Sequence, residues 1–220
     1  MDKEIVNHWV VHPLVEGKPV SLRALKPKGS PLSLFPKNRT FHPMDYSSPD
    51  ELKDNFERAA LSLNADGYNV YVVMNQIRDD FRGSGAIKDS DITHRTTILV
   101  DIDRIGDTSC PASQSEIEAS FELSHRIESY LRGQNLSRPL RVHSGNGCHL
   151  YYRIPAMAQS PFVTATFERF LKGLATRFNN TLVGVDTSVF NASRITKVVG
   201  TVARKGVESV DRPYRMARIV

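Results

Sequence analysis

Thr97-Ile98-Leu99-Val100-Asp101-Ile102-Asp103-Arg104 is the stretch on which the reading of the chain turns. Four apolar or β-branched residues lead into two carboxylates one residue apart, the pattern of a buried strand with a polar end. Alternate side chains of a strand share a face, so Asp101 and Asp103 project the same way and Ile102 the other. Two carboxylates a few ångströms apart repel one another unless a cation sits between them. A divalent metal with oxygen ligands is the simplest reason to keep such a pair at the end of a buried strand. The competing reading is a strand end with two solvated acids.

The segments around this strand predict an α+β chain. Residues 4–25 carry short apolar stretches, Trp9-Val10-Val11 and Val20–Leu25, read as one or two strands. From Lys26 to Pro49 the chain is rich in Pro, Lys and Ser and reads as a long surface loop. Ser48-Pro49-Asp50-Glu51 opens a helix with a capping serine, a proline at the first position and a glutamate able to close a capping box. Leu52, Phe56, Ala59, Ala60 and Leu63 then recur on one face. Gly67 ends that connection, and residues 68–75 read as a central strand. Residues 76–93, with Arg82-Gly83-Ser84-Gly85, read as a mobile loop. A second helix is expected after Pro111, capped by Ser113 or Ser115 and stopped near Gly133. Strands follow at 140–143 and 148–154, joined by the turn Ser144–Gly147. Ser160-Pro161 opens a third helix with Val163, Phe167, Phe170, Leu171, Leu174 and Phe178 inward. Strands at 183–186 and 194–201 complete the order. Helices covering one face of a mainly antiparallel sheet is the architecture expected.

Composition limits the function classes. The chain has 220 residues, 40% hydrophobic and 24% charged, enough for one large domain. The net charge of +5 fits a polyanionic partner such as nucleic acid or nucleotide. No apolar run approaches the roughly 18 residues of a membrane span, so no membrane partner is expected. Met1-Asp2-Lys3-Glu4 does not lead into a signal-peptide core. The two cysteines, Cys110 and Cys148, are too few for a zinc site or a disulfide framework, which predicts a cytoplasmic location and no zinc.

Three groups carry the chemistry. Asp101 and Asp103 are the first. The second is the turn Ser144-Gly145-Asn146-Gly147, whose glycines let backbone N–H groups approach an anion, with His149 just beyond it. The third is Asp186, a candidate third metal carboxylate, followed by Arg194 and Lys197 as candidate phosphate clamps. Three acids, an anion turn, a histidine and two cations meet the needs of nucleotidyl transfer with two divalent ions, Mg²⁺ or Mn²⁺. A Walker A motif is missing, which argues against a P-loop hydrolase. The alternatives are a metal-dependent nuclease or phosphodiesterase, with less need of Arg194 and Lys197, and a non-catalytic nucleotide- or DNA-binding replication module.

The ordered motifs resemble those of the archaeo-eukaryotic primase superfamily, and within it the primase-polymerase domains of phages, plasmids and other mobile elements. Asp101-Ile102-Asp103 resembles the first, metal-binding motif. Ser144-Gly145-Asn146-Gly147-Cys148-His149-Leu150-Tyr151-Tyr152 resembles the second, in which the histidine contacts the nucleotide's phosphates. Asp186 falls where the third motif places its metal-binding acid, and residues 191–201, Lys205-Gly206 and Arg212–Arg215 are similar to the closing segment. The likeness covers about residues 68–220. It implies a catalytic sheet like an RNA-recognition motif with covering helices, residues 67–220, joined to an N-terminal α/β module, residues 1–66, within one catalytic domain. It implies DNA primase and polymerase activity with dNTP or NTP on a single-stranded DNA template and primer. Template contacts are expected from Lys28, Arg39, Arg82 and Lys205, with Lys26, Lys37 and Arg204 as further candidates. Relatives are often fused to a helicase, so the chain reads as a domain excised from a longer replication protein. No ligand cluster for the zinc module of many relatives is found in the sequence.

Overall fold

The computed structural model describes residues 8–106 and 109–220. Two antiparallel sheets face each other across a cleft, each backed by helices. The first sheet runs β2 (Lys37–Phe41), β1 (Val20–Leu25), β3 (Asn69–Val73), β9 (Ile195–Lys197). Helix α2 (Pro49–Ala65) covers one face and packs Leu52, Phe56 and Ala60 against Leu22, Ala24, Phe41, Val70 and Val72. It starts where expected, because Ser48 Oγ accepts the Glu51 N–H. The Glu51 carboxylate reaches one residue further back than a capping box requires, to the Ser47 N–H and hydroxyl.

Two sequence readings change here. Trp9-Val10-Val11 is not a strand but part of a one-turn helix, α1 (His8–Val11). His8 stacks on Phe56 and the Trp9 indole donates to Glu57, so the segment docks on α2 instead of pairing with a strand. Within the expected loop 26–49, Lys37–Phe41 forms β2, in register from Val20↔Phe41 to Ala24↔Lys37. Its Lys-Asn-Arg-Thr run has no apolar alternation because β2 is an exposed sheet edge, where charged side chains discourage further pairing.

The second sheet is built on β5 (Ile92–Arg104). Its order is β12 (Arg218–Ile219), β6 (Leu140–His143), β7 (Cys148–Ala158), β5 and β4 (Gln76–Ile77), with β8 (Val183–Val185) pairing the end of β5. Helices α3 (Gln114–Gly133) and α4 (Pro161–Phe178) cover one face, with Leu123, Ile127, Leu131, Leu171, Leu174 and Phe178 sharing a core with Val100, Ile102 and Leu150. Ser113 and Glu116 form the capping box of α3. The left-handed residue behind that helix is Asn135, at φ 64°, not Gly133. Residues 76–93 are less loose than their polarity suggests: Ile77, Phe81 and Ile87 are buried with Val73, Ile92 and Ala192. A two-stranded ribbon, β10 (Val202–Ala203) with β11 (Arg215–Met216), lies at the cleft end. Strands β3 and β9 both lie beyond residue 66 in sequence, yet both join the first sheet.

Candidate active site

The alternation of β5 sets Leu99, Asp101 and Asp103 on the face away from α3 and α4, where they line a cleft of about 420 Å³. The first sheet supplies the opposite wall through Leu25, Asn69, Tyr71, Thr196 and Lys197, and the segment after β10 adds Arg204 and Lys205. Asp101 pairs across the ladder with His149 of β7, and its Oδ1 lies 3.4 Å from His149 Nε2. The other ring nitrogen, Nδ1, is 3.0 Å from the Tyr151 hydroxyl.

Each carboxylate is half-buried with one oxygen shut away from water, and their pKa values shift in opposite directions. Burial pushes the Asp103 carboxyl up to about 6, with the Asp101 charge adding to it. Burial also works against ionised Asp101, but the neighbouring His149, with Arg194 and Lys205 further off, holds its pKa below the usual range. Burial lowers His149, yet the Asp101 and Asp103 charges raise it above its ordinary value. Tyr71 is pushed up to about 12 by burial and then by the same two acids. The Oδ1 atoms of both Asp101 and Asp103 are buried without a hydrogen-bond partner. Unsatisfied buried carboxylate oxygens are costly, and hard divalent cations take such oxygens as ligands.

Asp186 reaches this group through its backbone, its N–H donating to the Asp101 carbonyl at 2.8 Å. Its Oδ1 accepts the Ser188 N–H. Among the described residues no set of three or more His, Cys, Asp or Glu side chains is clustered tightly enough to hold a metal ion. Two carboxylates remain a fitting donor set for Mg²⁺ or Mn²⁺, which such sites bind through one or two acids with substrate phosphates completing the shell.

The turn at 144–147 differs from an open anion cradle. The Gly145 N–H donates to His143 Nδ1, and the Gly147 N–H donates to Ser144 Oγ, so the turn uses these donors on itself. Asn146 Oδ1 accepts the Ala112 N–H and ties the turn to the start of α3. Gly147 is required for closeness: a Cβ there would collide with the Ile102 carbonyl and with Asp103 Oδ1. The turn thus braces the second carboxylate, while Ser144 and Asn146 line the cleft.

The cations fall into three sets. Arg194, Lys26, Lys28, Arg204 and Lys205 line the cleft. The Arg194 guanidinium donates to the Ser188 carbonyl, and its Nε is buried without a partner. Lys197 also lines the cleft but is 4% exposed, with its ammonium on Asn69 Oδ1 and the Val202 carbonyl. Burial, with Arg204 adding to it, lowers its pKa to about 7, so it is a weaker clamp than its sequence position suggests. Arg39 and Lys37 lie on β2, over the Phe41 and Tyr68 rings, and Arg82 turns to the Asp79 and Phe81 carbonyls; none of these three lines the cleft. Sequence reasoning missed Asn69, Tyr71, Tyr151 and Thr196. Their signal was polar residues within otherwise apolar strands.

No protein-family profile matches the sequence, and no curated protein sequence is significantly similar. Two solved structures are similar in fold. The primase-polymerase AEP domain of cyanophage S-2L superposes with a TM-score of 0.54 at 18% identity, over 99% of this chain and 88% of that one. The polymerase domain of Mycobacterium tuberculosis ligase D, solved in complex with DNA, gives 0.51 at 17% identity, over 96% and 77%. Two sheets, their covering helices and the cleft between them give this chain the archaeo-eukaryotic primase-type fold.

Proposed function

We propose that the chain is a template-directed nucleotidyltransferase, a DNA primase and polymerase that adds nucleotides to a 3′-hydroxyl. The observation that carries this reading is the pair of unpartnered Oδ1 atoms of Asp101 and Asp103 in a cleft whose other charged side chains are cations. Asp101 and Asp103 would hold Mg²⁺ or Mn²⁺, with Asp186 adjacent. When bound, the metal neutralises phosphate charge and lowers the pKa of the attacking hydroxyl. His149 Nε2, Arg194 and Lys205 face the place where a triphosphate would sit and supply donors and positive charge. Lys26, Lys28 and Arg204 continue the positive lining along the first sheet, suited to a template backbone. A nuclease would need the acids but not this run of cations.

Primer extension with labelled nucleotide and Mg²⁺ or Mn²⁺ tests the proposal. Incorporation by the wild type, lost in Asp101→Ala/Asp103→Ala, is the expected result. A shortened primer would make the chain a nuclease. Bound DNA with no incorporation would make it a binding module.

A further inference from the structure

Behind His149 lies a continuous line of buried polar groups that the proposed chemistry does not use. Tyr151 donates or accepts at His149 Nδ1 over 3.0 Å. The Thr196 side chain is close enough to the Tyr151 hydroxyl to lower its pKa against the upward push of burial. Thr196 Oγ1 lies 2.9 Å from His12 Nε2. His149, Tyr151, Thr196 and His12 are exposed by only 7, 1, 2 and 8%, so water competes little for these contacts. They come from β7, from β9 of the first sheet, and from the residue that follows α1. The line therefore joins both sheets and the N-terminal helix behind a single imidazole.

Its polarity can be derived. A carboxylate oxygen has only lone pairs, so the approach of Asp101 Oδ1 to 3.4 Å, just beyond a good hydrogen bond, favours a proton on His149 Nε2. In its neutral form the ring then accepts at Nδ1, and Tyr151 donates to it. The phenol has one proton, so its oxygen accepts from Thr196, whose own oxygen accepts the His12 Nε2–H. This assignment follows from the donor and acceptor inventory of the network. The remote end agrees with it: burial keeps Tyr151 protonated and His12 uncharged. The His12 ring also stands edge-on to Tyr151, with centroids 5.3 Å apart, which fixes the phenol from the side.

We propose that Tyr151, backed by Thr196 and His12, is a positioning residue that fixes the His149 ring with its Nε2–H aimed at the acidic end of the cleft. An arriving phosphate oxygen then meets a donor already oriented. The inference rests on the nucleotide reading of the cleft for its purpose, but not for its geometry. A tyrosine that only fills the core would serve as well without its oxygen.

Tyr151→Phe removes that oxygen and little else. The test is ¹⁵N NMR of the histidine side chains together with nucleotide KM and kcat in primer extension. At alkaline pH, where the ring is neutral, the wild type is expected to show His149 as one tautomer protonated at Nε2. Tyr151→Phe is expected to mix the tautomers and raise the nucleotide KM about tenfold, with kcat within about twofold, as for a lost neutral hydrogen bond. Thr196→Val should act in the same direction and more weakly. The double variant should be no worse than Tyr151→Phe, since groups in series do not add. Unchanged tautomer and KM in Tyr151→Phe, or full additivity in the double variant, overturns the proposal. If Tyr151→Phe does not fold, Thr196→Val and His12→Gln carry the same two readouts. If the wild type incorporates no nucleotide, the functional reading fails, while the NMR comparison still decides the positioning role.

Discussion

Strand β5 carries two kinds of buried charge, and they are treated in opposite ways. Arg95 is 1% exposed and its guanidinium is saturated: it donates to Gln159 Oε1, Thr164 Oγ1 and the Phe190 carbonyl, and lies over the Phe167 ring. Arg104, at the other end, donates to the Cys110 and Pro111 carbonyls and to Glu116, which Arg212 also holds. Between them, Asp101 and Asp103 leave an oxygen each without a donor. Arg95 and Arg104 are held by groups of the fold itself. The two acids are incomplete by the same standard, and Gly147 packs against one of them so closely that no side chain can fill the gap. Under the proposed function, a metal ion would complete them.

The contrast can be broken at its strongest point by Asp101→Ala/Asp103→Ala. Nucleotide incorporation should fall by on the order of 10³ or more, while the melting temperature of the metal-free protein stays level or rises, because two like buried charges are gone. Arg104→Ala should do the reverse. It leaves Glu116 with one partner fewer, and breaking a buried pair costs about 3–5 kcal/mol, a drop on the order of 10 °C for a chain of this size. Thermal unfolding followed by circular dichroism, beside the extension assay, separates the two outcomes.

Acid titration sharpens the same division. Glu116 would be raised by burial, but Arg212, the Ser113 N–H and Arg104 together lower it to about 2. Its folded value lies below the unfolded one, so its stabilisation is present above the ordinary glutamate range and is lost as pH falls toward 2. Asp103 has the opposite sign. Its folded value of about 6 lies above the unfolded one, so its contribution is full below the ordinary aspartate range and is lost as pH rises through 6. The metal-free protein should therefore gain stability from Asp103 between pH 7 and about 4, then lose it from Glu116 below. Asp103→Asn should flatten the first arm and Glu116→Gln the second, in melting temperatures measured against pH. Mn²⁺ at neutral pH should raise the wild-type melting temperature but not that of Asp103→Asn.

The smallest effect belongs to the cations at the mouth. Lys28→Ala and Arg204→Ala should each weaken single-stranded DNA binding and reduce the slope of log affinity against log salt by about 0.7. Arg82→Ala, outside the cleft, should leave the slope unchanged. A slope that moves with Arg82 instead would relocate the DNA path.

The readable parts of this chain were those with local signals. An apolar run ending in two acids one residue apart located the second half of β5, and capping residues located the three long helices to within a residue or two. Side chains that meet from distant strands were not readable. Tyr71, Tyr151 and Thr196 each look like an ordinary polar position in its own strand, and their shared surroundings arise only from the pairing of β3 with β9 and the stacking of the sheets. The turn at 144–147 was visible as a turn, but where its N–H groups point depends on His143 and Ser144 accepting them. Strand β2 was hidden because an edge strand of lysine, asparagine and arginine resembles a loop by composition.

The register Tyr71↔Lys197 makes one wall of the cleft depend on a segment far downstream of β3 in the chain. Until residues 195–197 emerge, β3 is an open flank and the wall bearing Asn69 and Tyr71 has no closing neighbour. A nascent or prematurely terminated product can carry the acidic strand and the histidine turn and still lack the opposing surface. Such fragments would hold an incomplete cleft, because its two walls meet only in chains that extend past residue 197.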